Sequence, residues 1–248
     1  MLDGVTTAMD PLLELRLVNK HYGRGPATRT VLRDVSLTIE AGELVTVWGK
    51  RRSGRSTLLR VAAGIVRPDS GIVRFADGDL ASRRGVLGDG IGYCQNSFLP
   101  AAGRFVHDQL TSSQLARGVP PSLAAARTEQ ALDRCDVKQY AGLRPSELKG
   151  AERTRVSIAR ALTFQPRLIV IDEPTLDVDL LARDEILLLL HSLADDGIAV
   201  LTSAGDATGL ADSDRTLALG DGRLRGRLAP AQAEVLPLRP PAARRLHA

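Results

Sequence analysis

The chain has 248 residues, 44% of them hydrophobic and 25% charged, as expected for a soluble globular protein with one large α/β domain or two small ones. The net charge of +4 is compatible with an anionic partner, although arginines scattered along the chain favour an ordinary solvated surface. The aromatic content of only 3% gives no indication of base stacking on single-stranded nucleic acid. No apolar run approaches the roughly 18 to 20 residues that cross a bilayer, so a role at a membrane would need spans from another chain.

The first half of the chain predicts strands around one glycine-rich loop. Alternating apolar and polar residues predict two half-buried strands, and an apolar run predicts a third, at 12–18, 35–39 and 43–48. The third strand runs directly into Gly49, and "STLLRVAAGI" behind the loop predicts a helix. Two short strands are expected at 71–75 and 90–94.

The second half predicts a helical insertion followed by further α/β structure. Residues 104–141 are mostly helical in pattern, with Pro120 and Pro121 at a helix start. The continuous apolar run "RLIVI" predicts a parallel strand buried on both faces. The remaining predicted elements are helices at 152–164 and 179–194, a strand at 198–202 and a β-rich segment at 215–228.

Three local features complete this organisation. The two cysteines, Cys94 and Cys135, lack metal or redox spacing and are interpreted as buried small hydrophobes in a reducing cytosol. Trp48 is interpreted as core packing. Residues 1–11 lack the basic start and apolar run of a signal peptide.

The segment "GKRRSGRST", residues 49–57, nearly matches the phosphate-loop pattern of Gly, four residues, Gly, Lys and Ser or Thr. Gly49 and Gly54 have the required spacing, and Ser56 and Thr57 follow them, but Arg55 occupies the lysine position. A strand before the loop and a helix after it is the context that phosphate loops require. The cations Lys50, Arg51, Arg52 and Arg55 concentrate positive charge at this loop.

A second motif supplies carboxylates for the same site. In "LIVIDEP", Asp172 and Glu173 directly follow the buried strand. An aspartate at this strand end can hold Mg²⁺ through water, and the adjacent glutamate can orient or deprotonate an attacking water. A strand that simply ends in two acids is the alternative for this motif taken alone. Together with the phosphate loop, the pair indicates a magnesium–nucleotide site.

These motifs, in this order, resemble the ATP-binding subunit of an ABC transporter. The resemblance runs from about residue 12 to 225 and includes Tyr22, the loop at 49–57, Gln95 in "GYCQNSFLP", "ELKGAERTRVSIARAL" at 147–162, "IVIDEPT" at 169–175 and Asp179. The helical insertion most resembles the exporter group that includes lipoprotein-releasing and macrolide-efflux ATPases.

The resemblance implies an α/β fold, the P-loop NTPase fold of ABC type. Its parts are a mixed central sheet with helices on both faces, an antiparallel β subdomain and a helical insertion. One ABC ATP-binding domain would cover 1–228, with a helical subdomain at about 97–160. Residues 229–248, rich in Pro, Ala and Arg, would form a loosely ordered tail.

The resemblance also implies a role for each matched residue. ATP would contact Tyr22, Gly49, Lys50, Arg51, Arg52, Ser53, Gly54, Arg55, Ser56, Thr57 and Gln95, with the Tyr22 ring stacked on adenine and the loop amides on the phosphates. Ser56 and Gln95 would ligate Mg²⁺ with Asp172 behind them, and Glu173 would be the general base. Tyr22 as an ordinary surface aromatic and Gln95 as a loop residue without a ligand are the open alternatives.

The partners follow from the same resemblance. Two cassettes, identical or different, would close head to tail over two ATP molecules, with Asp179 in an inter-subunit loop. The signature of one cassette, Leu148, Lys149, Gly150, Ala151 and Glu152, would face the phosphate loop of the other. Gln95 and the helical insertion would couple this closure to a separately encoded transmembrane permease. The chain would be cytoplasmic, peripheral on the inner face of the cell membrane, and no nucleic acid partner is expected.

Four positions depart from the family pattern. They are Arg55 for the lysine, Lys149 and Ala151 within the signature, Ser203 for the switch histidine, and the loop at 176–179. Arginine is larger than lysine, planar and forked, so this exchange alters phosphate geometry while it keeps the charge.

Three functions are compatible with this pattern. The first is the ATPase subunit of an exporter that hydrolyses ATP slowly or only when assembled. The second is a degenerate, regulatory nucleotide-binding subunit that pairs with a competent cassette. The third, an ABC-type ATPase of DNA repair or translation, is disfavoured because the chain has neither a long coiled-coil insert nor a tandem cassette.

Overall fold

The computed structural model describes residues 10–76, 78–80, 90–94, 104–205 and 213–226. These ranges contain ten strands and five α-helices arranged around two sheets. The first sheet is antiparallel, with the order β2-β1-β4-β5. Its strands are β1 (Leu13–Tyr22), β2 (Arg29–Ile39), β4 (Ser70–Phe75) and β5 (Gly78–Asp79).

Strand β1 continues beyond residue 18, where the predicted strand ends, and a bulge explains why the sequence pattern did not show this. The pairing of β1 with β2 shifts register between Leu15 and Val18. Between them Leu17 adopts a φ of 47°, and its side chain is exposed. A bulge inserts an unpaired residue and breaks the two-residue alternation, so the part of the strand beyond 18 carries no periodic signal.

The second sheet has the order β10-β9-β3-β8-β7-β6 and is parallel except for the β9–β10 pair. Its strands are β3 (Leu44–Trp48), β6 (Ile91–Cys94), β7 (Leu168–Ile171), β8 (Ala199–Ala204), β9 (Arg215–Gly220) and β10 (Arg223–Arg225). In the register, Trp48 lies opposite Ala204 and Ile171 opposite Thr202. The segments that follow β3, β7 and β8 therefore meet at one edge of the sheet.

The helices are α1 (Arg55–Ala62), α2 (Val106–Leu115), α3 (Pro121–Arg134), α4 (Gly150–Leu162) and α5 (Leu180–Asp195). Helix α1 buries Leu58, Leu59 and Val61 in a core shared by the antiparallel sheet and one face of the second sheet. A second core joins the opposite face to α4, α5 and the helical hairpin α2–α3. No helix in the described ranges has the length and apolar character needed to cross a membrane.

Cys94 and Cys135 are both buried in this second core, as predicted. Burial raises the pKa of each thiol from 9.0 to about 12. Because the folded pKa lies above the unfolded value, the stability that the neutral thiols contribute is fully present below pH 9.0 and is lost as pH rises towards about 12.

We expect this loss to appear as extra alkaline sensitivity of the wild-type chain. Between pH 9.0 and about pH 11, its unfolding free energy should fall more steeply than that of Cys94→Ala/Cys135→Ala, by at most about 1.4 kcal/mol per pH unit per thiol. Urea unfolding of both proteins across this range measures the difference, and parallel pH profiles would contradict the assignment.

Candidate functional site

The phosphate loop joins β3 to α1 at the edge where the parallel strands end. Gly54 precedes α1 with a φ of 106°, a left-handed conformation that favours glycine. A Cβ on Gly54 would lie 2.9 Å from the carbonyl oxygen of Val31. A Cβ on Gly49 would lie 2.6 Å from the carbonyl oxygen of Leu219. The loop can take this tight path only because both positions lack a side chain.

The loop and the start of α1 together suit a chain of phosphates. The first amides of a helix have no intrahelical partner and attract anions. Ser56 is exposed on this first turn, and Thr57 is half-buried beside it. The Ser53 hydroxyl is buried and has no hydrogen-bond partner among the described residues, so a phosphate oxygen could satisfy it.

A cleft of about 770 Å³ opens beside the loop, between β2 and the β9–β10 turn. Among the described residues that line it, six are cations and Asp221 is the one acid; the cations are Arg29, Arg33, Lys50, Arg51, Arg52 and Arg225. Trp48, which we predicted to be core packing, is only half-buried and also lines this cleft. The surplus of positive charge favours a polyanionic ligand.

Arg55, the residue in the lysine position, contacts the acid pair. It is only 7% exposed, and its Nη2 donates a hydrogen bond of 2.6 Å to Oε1 of Glu173. The ion pair lies close to Gly205, the residue that follows β8. A Cβ added to Gly205 would lie 3.2 Å from Glu173 Oε1 and 3.5 Å from Arg55 Nη2. The structure thus joins the phosphate loop directly to Glu173.

Ser203 connects the two acids to each other. Its hydroxyl donates to Oδ1 of Asp172 at 2.6 Å and accepts the backbone N–H of Glu173 at 3.0 Å. Ser203 is 2% exposed, and Glu173 has a φ of 49°, which is uncommon for a residue other than glycine. The serine therefore stabilises both the Asp172 carboxylate and the unusual backbone of Glu173.

From the sequence, Ser203 was predicted only to occupy the place of an absent histidine, and its contact with the acid pair was not predicted. The contact between Ser203 and Asp172 could have been predicted only if β7 and β8 were known to be neighbouring parallel strands. Since Thr202 pairs with Ile171, the next residue of β8 lies beside the first acid after β7.

The acid pair fits a magnesium ion that is held mainly by phosphates and water. In the described parts of the chain, no three His, Cys, Asp or Glu residues converge on a metal position. Mg²⁺ keeps several waters and is commonly bound through one or two carboxylates plus substrate phosphates. Asp172 and the exposed Ser56 are compatible with this arrangement, whereas Gln95 lies outside the described residues.

Two further residues lie close enough to Asp172 for its charge to shift their pKa values. Burial raises the pKa of Tyr93 on β6, and the negative charge of Asp172 raises it further, so the phenol stays neutral. The pKa of Arg60 on α1 is raised, first by Tyr93 and also by the charge of Asp172. Both residues lie in segments quoted above, Tyr93 in "GYCQNSFLP" and Arg60 in "STLLRVAAGI", but neither was predicted to act in the site.

Tyr22 lies at the end of β1 and is 43% exposed. Lys20 places its Nζ 5.6 Å from the centroid of the Tyr22 ring. Tyr22 does not line the basic cleft, so its stacking on adenine stays a prediction.

The signature residues lie apart from the phosphate loop. Leu148 is buried, Lys149 precedes α4 and donates its backbone N–H to Glu152 at 3.0 Å, and Gly150 has a φ of 41°. A separate cleft of about 450 Å³ is lined by Lys149, Gly150, Ala151 and Glu152, together with Asp179 and neighbouring residues. Within this chain, then, the signature and the phosphate loop do not form one site.

Asp179 has a structural contact of its own. Its carboxylate caps α5 by accepting the backbone N–H of Ala182 at 3.0 Å. This contact accounts for an aspartate here without a partner subunit, so an inter-subunit role stays a prediction.

Comparisons with known proteins identify relatives for most of the chain. The family model described as "ABC transporter" matches residues 32–176. The pyoverdine export ATP-binding/permease protein PvdT of Pseudomonas syringae pv. tomato is 33% identical over 218 residues, which are 86% of this chain and 33% of that protein. The macrolide export ATP-binding/permease protein MacB of Rhodospirillum rubrum is 33% identical over 239 residues, 93% of this chain and 37% of that protein. The chain thus spans about a third of the length of these relatives.

Solved structures share the fold. The dimeric structure of MJ0796, a bacterial ABC transporter cassette, matches with a TM-score of 0.80 and 24% identity, covering 88% of this chain and 98% of that one. The same cassette in a post-hydrolysis state, bound to ADP and Pi, matches with a TM-score of 0.79.

Proposed function

Since this chain belongs to the ABC transporter family, whose ATP-binding cassettes generally hydrolyse ATP, we propose that it binds Mg-ATP and hydrolyses it to ADP and phosphate. The observation that carries the proposal is the meeting of the phosphate loop, Asp172 and Glu173 at one sheet edge. The hydrolysis would power a transmembrane permease, encoded separately, that exports its cargo. The relatives, named as export ATP-binding/permease proteins, support a permease as the partner, and its separate encoding is part of the proposal.

The proposed hydrolysis divides the site residues into three groups, which bind the nucleotide, hold the metal and accept the proton. The amides of the loop and of α1 bind the phosphates, the side chains from Lys50 to Thr57 surround them, and Tyr22 stacks on adenine. Ser56 and Gln95 would ligate Mg²⁺ with Asp172 behind them, and the bound ion would neutralise charge on the phosphates. Glu173 takes a proton from the attacking water.

A second cassette would complete the site. Residues 148–152 of each copy would face the phosphate loop of the other, with Asp179 between the subunits. Lys149 at the start of α4 offers a cation to the γ-phosphate in place of the family's serine hydroxyl. The cassettes would lie at the inner face of the membrane, where Gln95 and the helical insertion contact the permease.

We expect Asp172→Asn to weaken the magnesium-dependent part of ATP binding by about 10- to 100-fold, because the amide removes the negative charge that the metal requires. Titration calorimetry with ATP, with and without Mg²⁺, measures this. Asp184→Asn, at an exposed position of α5, is the matched control and should bind like the wild type.

An unchanged magnesium dependence in Asp172→Asn would show that this carboxylate does not hold the metal. A wild-type chain that binds no ATP under any of these conditions would overturn the proposed function.

A further inference from the structure

Arg55 occupies the position from which the phosphate loop contacts a nucleotide, yet its guanidinium is already bound to an anion. Nη2 lies 2.6 Å from Glu173 Oε1, and the two side chains are 8% and 27% exposed. A pair this far from solvent is screened much less than an exposed one. In this structure, the positive charge of Arg55 is therefore neutralised by Glu173, the proposed base.

The ion pair also engages the carboxylate of Glu173, the proposed general base. The Oε1 atom that accepts from Arg55 cannot at the same time accept a proton from water through the same lone pair. Glu173 is thus held in one orientation by a charge-assisted hydrogen bond, which is among the stronger kinds.

Arg55 is nevertheless incompletely satisfied. Its Nη1 is buried and has no hydrogen-bond partner among the described residues. Leaving a charged donor without a partner in a buried place is costly, so a second anion beside Arg55 would be favourable. The phosphate loop, which begins α1 at Arg55 itself, is where such an anion would bind.

We propose that Arg55 is a positioning residue for Glu173 and that the phosphates of a bound nucleotide draw it away from that carboxylate. The inference rests on the proposed function, since it requires nucleotide phosphates at the loop. Ser203 holds the backbone of Glu173 and the carboxylate of Asp172 independently of Arg55, so the acid pair keeps its place when Arg55 moves.

Two anions that compete for one cation are coupled, and the coupling is measurable without hydrolysis. ADP affinity would be measured for the wild type, Glu173→Gln, Arg55→Gln and the double variant, with AMP as a probe that lacks the β-phosphate. Glu173→Gln should bind ADP about 3- to 30-fold more tightly than the wild type, because Arg55 no longer has to leave a carboxylate. In the Arg55→Gln background the same change should alter ADP affinity by less than about twofold, and AMP affinity should not respond in either background.

The same four proteins provide a second readout by urea unfolding. Without nucleotide, Arg55 and Glu173 should show a favourable coupling in the double-mutant cycle, and saturating ADP should abolish it. Asp184→Asn is again the matched control, and it should leave both the ADP affinity and the coupling unchanged.

If Glu173→Gln changed ADP affinity equally in the wild-type and Arg55→Gln backgrounds, the inference about Arg55 would be overturned. The proposed function would stand, because the chain would still bind ADP. A wild-type chain that binds neither ADP nor ATP would overturn the proposed function and the inference together.

Discussion

Replacing Glu173 with glutamine is expected to lower ATP turnover by about 10²- to 10⁴-fold while ATP binding persists. Glutamine has nearly the same shape as glutamate but cannot take a proton from water. The backbone N–H of residue 173 still donates to Ser203, so the local fold should be retained. Phosphate release with Mg²⁺ at high protein concentration measures the turnover.

The ATP turnover of the wild-type chain decides how the comparison with Glu173→Gln is interpreted. Turnover that disappears in Glu173→Gln but survives in Asp184→Asn would establish an ATPase that tolerates arginine in the lysine position. Turnover that is equal in wild type and Glu173→Gln would show that another group is the base. No turnover in either protein would indicate a binding-only or partner-dependent cassette, and the measurement would then be repeated with the second cassette and the permease.

The second large effect is expected from Gly49→Ala, which should weaken ATP binding at least about tenfold and reduce the unfolding free energy by about 1 to 3 kcal/mol. The new methyl carbon would lie 2.6 Å from the Leu219 carbonyl oxygen and 2.6 Å from Ser53 Oγ. Leu219 belongs to β9, which pairs with β3, so relieving the clash requires either the sheet or the loop to move.

Gly142→Ala is the matched control, because a Cβ there meets nothing within 4 Å. Urea unfolding and ATP titration of both variants measure the two effects. If Gly49→Ala matched the control in both, the close approach at the loop would not matter for either folding or binding.

The fold was largely predictable because its signals are local. The buried run before Asp172 and the strand–loop–helix pattern around Gly49 identified the parallel sheet, and the solved cassettes confirm the predicted fold class. The family was predictable because its motifs retain their order, and the match over residues 32–176 confirms it.

The side-chain contacts within the site were not predictable in the same way. Arg55 and Glu173 are 118 positions apart, and their ion pair depends on which strands are neighbours. The contact of Ser203 with Asp172 likewise requires β7 and β8 to be adjacent and in register. A motif identifies which residues share a site, but only the three-dimensional arrangement shows which of them are bonded to each other. The assigned roles, including that of Gln95, stay predictions.

The order β3-β8-β7 has a mechanical consequence. Three consecutive strands carry the phosphate loop, Ser203 and the acid pair, and adjacent strands are held about 4.8 Å apart by their ladder hydrogen bonds. The spacing between these groups is thus set by the stiffest part of the molecule. Forces from a partner that displace the helical hairpin α2–α3 would leave this spacing nearly unchanged. Such a partner would control whether another surface completes the site, while the backbone spacing between the acids and the loop would stay constant during ATP turnover.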